Sequence, residues 1–385
     1  PHPMKRRWAG ACLLLLLLCL CLPARGEGLE GALSAALDQL PLQSLQSAYD
    51  QAFPQGEGLR ETLLRLARGE MALDGETLLR QMAGALLGAL RGSLWRLIRL
   101  AAPAILCGVL EQLRSAFAKA AVGEIVGAAC FLLLAGCMAQ DLGAHMALAS
   151  AAVSRMADLM QTLFPLLLTL LAAVGGTAGA AFFQPAVAAA CGTMTALVRS
   201  LTLPLALSAA VAAILQHLSL RVRIGRLAAF LKSGASWTLG VSFTVFISVT
   251  ALQSLGAAAA DGVSLRTAKY AVDNLVPVVG GMFADTMDTL VGASLLIKNA
   301  LGLTGLLLLL FTAGGPMLQT LAAVLIYRAA AALLEPVADS RVCACIQDFS
   351  DVLMLFFIIQ LSVGAMFLLL IAQILAVGNW TVMLR

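Results

Sequence analysis

The stretch Pro277–Gly302, PVVGGMFADTMDTLVGASLLIKNALG, decides how the rest of this chain is read. Apolar segments long enough to cross a bilayer flank it. Yet it holds a proline, the pair Gly280-Gly281, aspartates at i and i+3 (Asp285, Asp288), and Lys298 followed by Asn299. Ionisable groups at membrane depth are costly unless they meet partners or water. A segment led by Pro277 and a glycine pair suggests broken backbone, which membranes tolerate only where protein or a wet cavity covers it. The expectation is a polar pathway, or polar pairing between helices, built on Asp285, Asp288, Lys298 and Asn299.

Working outward, the whole chain of 385 residues is 61% hydrophobic and 12% charged. Soluble domains carry about 25% charged residues, so this composition belongs to a polytopic membrane protein. Long apolar runs dominate over alternating ten-residue patterns, which selects helices rather than a barrel. The expected fold is all-α, with about seven membrane segments. The net charge of +4 is small and forms no basic stripe on a soluble domain, so no nucleic-acid surface is expected. No GxxxxGK[ST] loop, HExxH or nucleophile elbow in a suitable setting is present. The chain is therefore not read as an enzyme, and an ATP-driven step needs its ATPase on another chain. His2, His145 and His217 are scattered, and Cys343-Ala-Cys345 lacks a second pair or a nearby histidine. No metal or cofactor is expected.

Pro1-His2-Pro3 precede Met4, and from Met4 the chain reads as a secretory signal. Lys5, Arg6 and Arg7 are its basic start, Ala11–Leu22 its apolar run, and Ala24-Arg25-Gly26 a small-x-small cleavage site. Residues 1–26 are thus signal, and the mature chain begins outside the cytoplasm. Residues 27–93 form the one polar region. Leu29, Leu33, Leu37 and Leu40 fall at helical spacing, as do Leu59, Leu63 and Leu66. This pattern predicts three or four short amphipathic helices, too few to bury a substantial core alone.

Residues 94–385 are the multi-pass domain. Apolar tracts run over Leu97–Leu110, Val122–Gln140, Leu159–Phe183, Ala186–Gln216, Ser236–Gly256, Leu303–Ala313, Met317–Leu334 and Val352–Val377. Asp141–Asp158 and Ala257–Asn274 are polar enough for the interface. Arg221, Arg223, Arg226 and Lys232 should face the cytoplasm. That requires an odd number of crossings before them, whereas the tracts suggest four. Either Leu97–Leu110 lies in the interface, or one tract is re-entrant, or the basic loop is an exception.

Two parts of the membrane region echo each other. Arg155-x-x-Asp158, Pro165, Val174-Gly175-Gly176 and Arg199 match in order Lys269-x-x-x-Asp273, Pro277, Val279-Gly280-Gly281 and Lys298. With about three passes per copy the repeat is inverted, an arrangement that places sites near the bilayer midplane. Chance similarity in an Ala/Leu/Gly-rich chain is the alternative. Arg199, like Lys298, is read as a candidate for a polar pathway or an ion pair, against snorkelling to the headgroups. The glycine pairs Gly175-Gly176 and Gly280-Gly281, with Pro277, are read as helix breaks or close-packing points.

The run LVPVVGGMFADTMDTLVGASLLIKNALG, then AAVLIYRAAAALLEPVAD at Ala322–Asp339 and FPLLLTLLAAVGGTAGAA at Phe164–Ala181, resembles the stage III sporulation protein AE family of endospore-forming bacteria. The order of signal, small polar region and multi-pass domain is similar too. The resemblance implies a subunit of the channel or secretion complex that links mother cell and forespore and supports late forespore gene expression. It implies a place in the mother-cell membrane around the forespore. The implied partners are other membrane and ring-forming subunits and a cytoplasmic ATPase on a separate chain. The family brings no catalytic residues, so the site residues rest on the physical reading. The competing function is a stand-alone secondary transporter or permease with a polar site near the bilayer midplane.

Overall fold

The computed structural model describes the backbone of residues 27–38, 40–53, 57–70, 75–116, 120–218, 224–275 and 280–383. The signal segment, Arg221, Arg223 and Pro277 lie outside the described residues, as do the side chains of Asp285 and Asp288. All regular structure in the described part is helical.

Three short helices come first: α1 (Glu27–Asp38), α2 (Gln43–Ala52) and α3 (Leu59–Ala67). Their helically spaced leucines do what such spacing implies. Leu33, Leu37, Leu45, Leu59 and Leu63 are buried, and the Tyr49 hydroxyl meets Thr62 Oγ1 at 2.7 Å. All three helices pack on α9, introduced below, where the Phe53 ring meets Phe311 edge-on at 4.9 Å. This supplies the burial that three short helices cannot provide for themselves.

Six long segments come next. They are α4 (Gly75–Ala116), α5 (Ala120–Ala173), α6 (Thr177–Leu197) continued by a π turn (Val198–Thr202) into α7 (Leu203–Leu215), α8 (Gly225–Leu275), α9 (Gly280–Leu334) and α10 (Ser340–Met383). Among the described residues six stretches are long and apolar enough to cross a membrane: Leu79–Val109, Gly127–Ala173, Cys191–Leu215, Gly225–Ala257, Thr289–Leu334 and Ser340–Asn379. The protein is a polytopic helical membrane protein.

The tracts group differently from the sequence expectation. Asp141–Asp158 continues α5 rather than lying across the interface, and Leu303–Ala313 joins Met317–Leu334 in one helix. Pro165 and Pro316 stay inside helices, as membrane helices permit when neighbours re-satisfy the freed backbone groups. α4 likewise runs without interruption across residues 93 and 94. At 55 residues α9 is about 80 Å long, far beyond a hydrocarbon core of about 30 Å.

The two glycine pairs behave differently. At Val174–Gly176 the helix ends in a Schellman-type cap. The Gly176 N–H donates to Leu171 O and Gly175 N–H to Ala172 O, both at 3.0 Å, with Gly175 at φ +103°. Only glycine adopts that backbone without strain. A Cβ on Gly176 would also stand 2.9 Å from Leu171 Cδ1. Gly280 and Gly281, by contrast, open α9. The break expected inside Pro277–Gly302 does not extend past Gly280, because in a first turn the N–H groups lack helical partners anyway and glycine is least harmful there. Gly175→Ala is expected to destabilise the chain by about 1–3 kcal/mol. A thermal scan in detergent, read by a thiol-reactive dye as the buried thiols of Cys107, Cys130 and Cys345 become exposed, measures it.

The centre of the bundle is α5, α9 and α10, with α4 on one side and α6–α7 and α8 on the other. Contacts set the register. Tyr327 on α9 bonds Asp141 on α5, and Gly305 on α9 faces Leu163 on α5. Equal stretches of both helices separate these contacts, so α5 and α9 run antiparallel side by side.

Candidate functional site

Lys298 lies in the interior of α9 and its side chain is 0% exposed. Its Nζ donates to the carbonyl oxygen of Leu375 on α10 at 3.0 Å. The ammonium sits against Gly378, where any Cβ would overlap it. One helical turn along α9, Gly302 receives the Leu375 side chain in the same manner. Glycines at 302 and 378 thus let two long helices approach closely and give a charged tip a backbone acceptor. Asn299 presents a buried Oδ1 with no partner among the described residues, as do Asn379 Oδ1 and Gln373 Oε1 on α10.

Around this lysine the described residues bring together Leu375, Gly378 and Gly302, and the side chains of Asp285 and Asp288 lie outside them. Along one unbroken helix, Lys298 stands about 15 Å beyond Asp288 and farther from Asp285, more than a lysine stem reaches. Lys298 therefore uses a carbonyl on α10 instead. Arg199 is elsewhere: it is exposed, within the π turn that packs on α8. Arg199 and Lys298 do not meet.

A second polar group was not anticipated as a site. Asp141 on α5, 6% exposed, takes an ion pair from Arg99 on α4 and a 2.7 Å hydrogen bond from the hydroxyl of Tyr327 on α9. Arg99 also donates to Gln140 at 3.3 Å. Beside them Arg96 reaches His145 Nε2 at 2.9 Å. A guanidinium only donates, so Nε2 accepts and the imidazole proton sits on Nδ1, which is buried without a partner among the described residues. One carboxylate so joins α4, α5 and α9.

The neighbouring level of α10 carries a third group. Asp348 accepts from Gln216 Nε2 at 2.6 Å and from His217 Nε2 at 2.8 Å. Asp351 holds Lys232 of α8 at 3.1 Å and Arg328 of α9 at 3.4 Å. Tyr327 and Phe349 rings meet at 4.7 Å between the two groups. Deeper in, Gln360 Nε2 donates to Thr320 Oγ1 at 3.0 Å. These contacts form a polar belt through an apolar bundle. Its sequence signal was a tyrosine, one of three in the chain, followed by an arginine inside the apolar run at Tyr327-Arg328. Among the described residues no three His, Cys, Asp or Glu side chains gather as metal ligands. What the belt does chemically is neutralise charge and tie helices.

The chain is similar to known proteins over most of its length. The family model for stage III sporulation protein AE matches residues 58–378. The stage III sporulation protein AE of Bacillus subtilis (strain 168) is 33% identical over 281 residues, covering 73% of this chain and 70% of that protein. No solved structure matches the chain. With most of its length matched by the family model and by a relative at this identity, the chain belongs to the stage III sporulation protein AE family.

Proposed function

We propose that the chain is an integral membrane subunit of the sporulation channel or secretion complex linking mother cell and forespore. On this reading it sits in the mother-cell membrane around the forespore and supports late forespore gene expression. Its partners are further membrane subunits, ring-forming subunits and a cytoplasmic ATPase on a separate chain. Helices α1–α3 belong to the extracytoplasmic side, after a cleaved signal. Membership of the family supports the sporulation role.

The observation that favours a subunit over a self-sufficient carrier is the setting of Lys298. A carrier's charged site needs room for a solute. Here the ammonium is engaged by an α10 carbonyl and walled by Gly378. Such a contact fastens two helices. A tagged chain purified from sporulating cells is expected to bring down membrane and ring-forming partners in fixed ratio. Liposomes holding the chain alone are expected to move no solute in response to an ion gradient. Ion-coupled flux by the isolated chain, abolished by Lys298→Met, would defeat the subunit reading and establish the transporter.

A further inference from the structure

Two polar levels of this bundle stand farther apart than a bilayer core is thick. The Tyr327 and Phe349 rings meet at one of them, and Lys298 meets Gly378 at the other. Along α9 from Tyr327 to Lys298, and along α10 from Phe349 to Gly378, the number of residues is the same. Each stretch is about 43 Å long. A hydrocarbon core is about 30 Å thick, so the polar belt and the Lys298 contact do not both lie inside it.

The outward faces of the helices show which level is in lipid. α8 exposes large apolar side chains from Leu227 to Leu255, with Phe230, Trp237, Val245 and Leu252 between them. That is about 42 Å of helix, the thickness of a bilayer with its headgroup layers. Lys232, near the start of this stretch, is held by Asp351 of the belt, and Arg226 beside it is exposed. The belt thus lies at one edge of the apolar band.

Toward Lys298 the outward faces change character. From Leu132 to Ala151 the exposed side of α5 carries leucine, alanine and glycine, with Gln140, engaged by Arg99, as its polar side chain. Beyond it Arg155, Asp158, Gln161, Pro165, Thr169 and Ala173 are exposed at helical spacing. α6 exposes Ala181, Gln184, Ala188 and Gly192 up to Arg199, and no large apolar side chain among the described residues. α7 then resumes with Leu201, Val211 and Leu215. On α10 no large apolar side chain is exposed beyond Leu361, and on α9 Leu290 is the one such residue before Phe311, among the described residues. The leucines of the α5–α6 hairpin, Leu163, Leu166, Leu167 and Leu170, are turned inward. Helices α1–α3 mark the same boundary. Phe53 packs on Phe311, about 24 Å from the Tyr327 level toward Lys298. Their surface carries the Asp38–Arg60 pair, 2.8 Å apart with both side chains more than half exposed, and exposed charges are costly in hydrocarbon.

From this we infer that the bilayer covers only the belt-side part of the bundle. Its second headgroup layer meets α5 at Arg155 and Asp158, and the long side chain of Arg199 snorkels to it. None of the three makes an ion pair among the described residues. Lipid phosphates take the arginines, and water or lipid amines take the carboxylate. Beyond that layer the α5–α6 hairpin, the N-terminal part of α9 and the C-terminal part of α10 stand in water as one extension. It lies on the side that carries α1–α3, which on the reading above is extracytoplasmic. Lys298 is the buried centre of this extension and does not sit at the bilayer midplane. The cleft of about 740 Å³ between α5 and α6, which Gln161, Thr169 and Gln184 line among apolar side chains, opens to water.

The test uses the full chain in phospholipid nanodiscs, where both bilayer faces are open to water, and a charged maleimide. A thiol reacts as the thiolate, which forms in water and not in hydrocarbon. Thr169→Cys and Gln184→Cys place thiols on the extension, and Val211→Cys and Val245→Cys place them on the lipid faces of α7 and α8. All four positions are exposed on the protein, so packing alone does not separate them. Rates are taken above that of the unsubstituted chain, whose buried Cys107, Cys130 and Cys345 report folding by staying unreactive. Labelling is expected to be at least tenfold faster at 169 and 184 than at 211 and 245. Equal rates at the four positions overturn the inference. So does quenching of a fluorophore at Thr169→Cys by phospholipids brominated in their acyl chains, which places the hairpin in lipid. The assay contains no partner subunit, so its failure leaves the proposed function standing.

Discussion

Gly378→Ala is expected to destabilise the folded chain by about 1–3 kcal/mol, the usual cost of forcing an extra methyl into a packed interior. In most membrane helices this change is neutral or favourable, because alanine is the better helix former by about 1 kcal/mol. Here the new methyl would occupy the space of the Lys298 ammonium. Either the ammonium leaves the Leu375 carbonyl or α9 and α10 separate, and the paired approach at Gly302 is lost with them. A second substitution separates these causes from a general intolerance at 378. In a Lys298→Ala background the steric conflict is gone, so Gly378→Ala should become neutral or stabilising. That reversal of sign is the signature of direct contact between the two positions. Thermal midpoints of the four chains in detergent, read through the buried thiols, decide it. Equal destabilisation by Gly378→Ala in both backgrounds would show that the ammonium is not held in this notch.

Asp141→Ala is expected to cost about 3 kcal/mol. The carboxylate serves two helices besides its own, and its removal leaves the buried Tyr327 hydroxyl and the Arg99 guanidinium without their acceptor. Breaking a buried pair from one side costs about 3–5 kcal/mol. The lower figure applies because 35% of the Arg99 side chain remains accessible. Asp141→Asn keeps an acceptor for Tyr327 but not the charge for Arg99, and should fall between the variant and the natural chain. Glu76→Gln is the control. It breaks an exposed pair with Arg80 at the start of α4, and such pairs contribute at most about 1 kcal/mol. The same thiol-reactivity scan ranks the three variants. An Asp141→Ala midpoint no lower than that of Glu76→Gln would mean that the belt does not hold α4 to α5 and α9.

Much of this architecture was legible in composition and spacing. A low share of charged residues and long apolar runs required helices in a membrane, since such runs satisfy their backbone within themselves. Leucines at helical spacing marked the buried faces of α1 and α3, and the resemblance around Phe164–Ala181 and Pro277–Gly302 pointed to the family. Prolines and polar patches misled the division into segments. The gap between Leu303–Ala313 and Met317–Leu334 and the Asp141–Asp158 stretch read as interruptions, yet packing carries both through in continuous helix. The reason is that a helix boundary depends on what surrounds the freed backbone groups, which the local sequence does not contain.

The sites divide along the same line. That Lys298 needed shelter was evident from its place in an apolar run. That its partner is a carbonyl on α10, seventy-seven residues away, was not. Nor was the meeting of Arg99, Asp141 and Tyr327, or of Lys232, Arg328 and Asp351, whose members come from three separate helices each. Periodicity and hydropathy are properties of one helix at a time, so by itself the sequence determined that this is a helical membrane protein and which residues lipid would reject. Which rejected residues meet is set by how neighbouring helices slide and rotate against each other, and that register exists only once glycines such as Gly302, Gly305 and Gly378 have let the helices close.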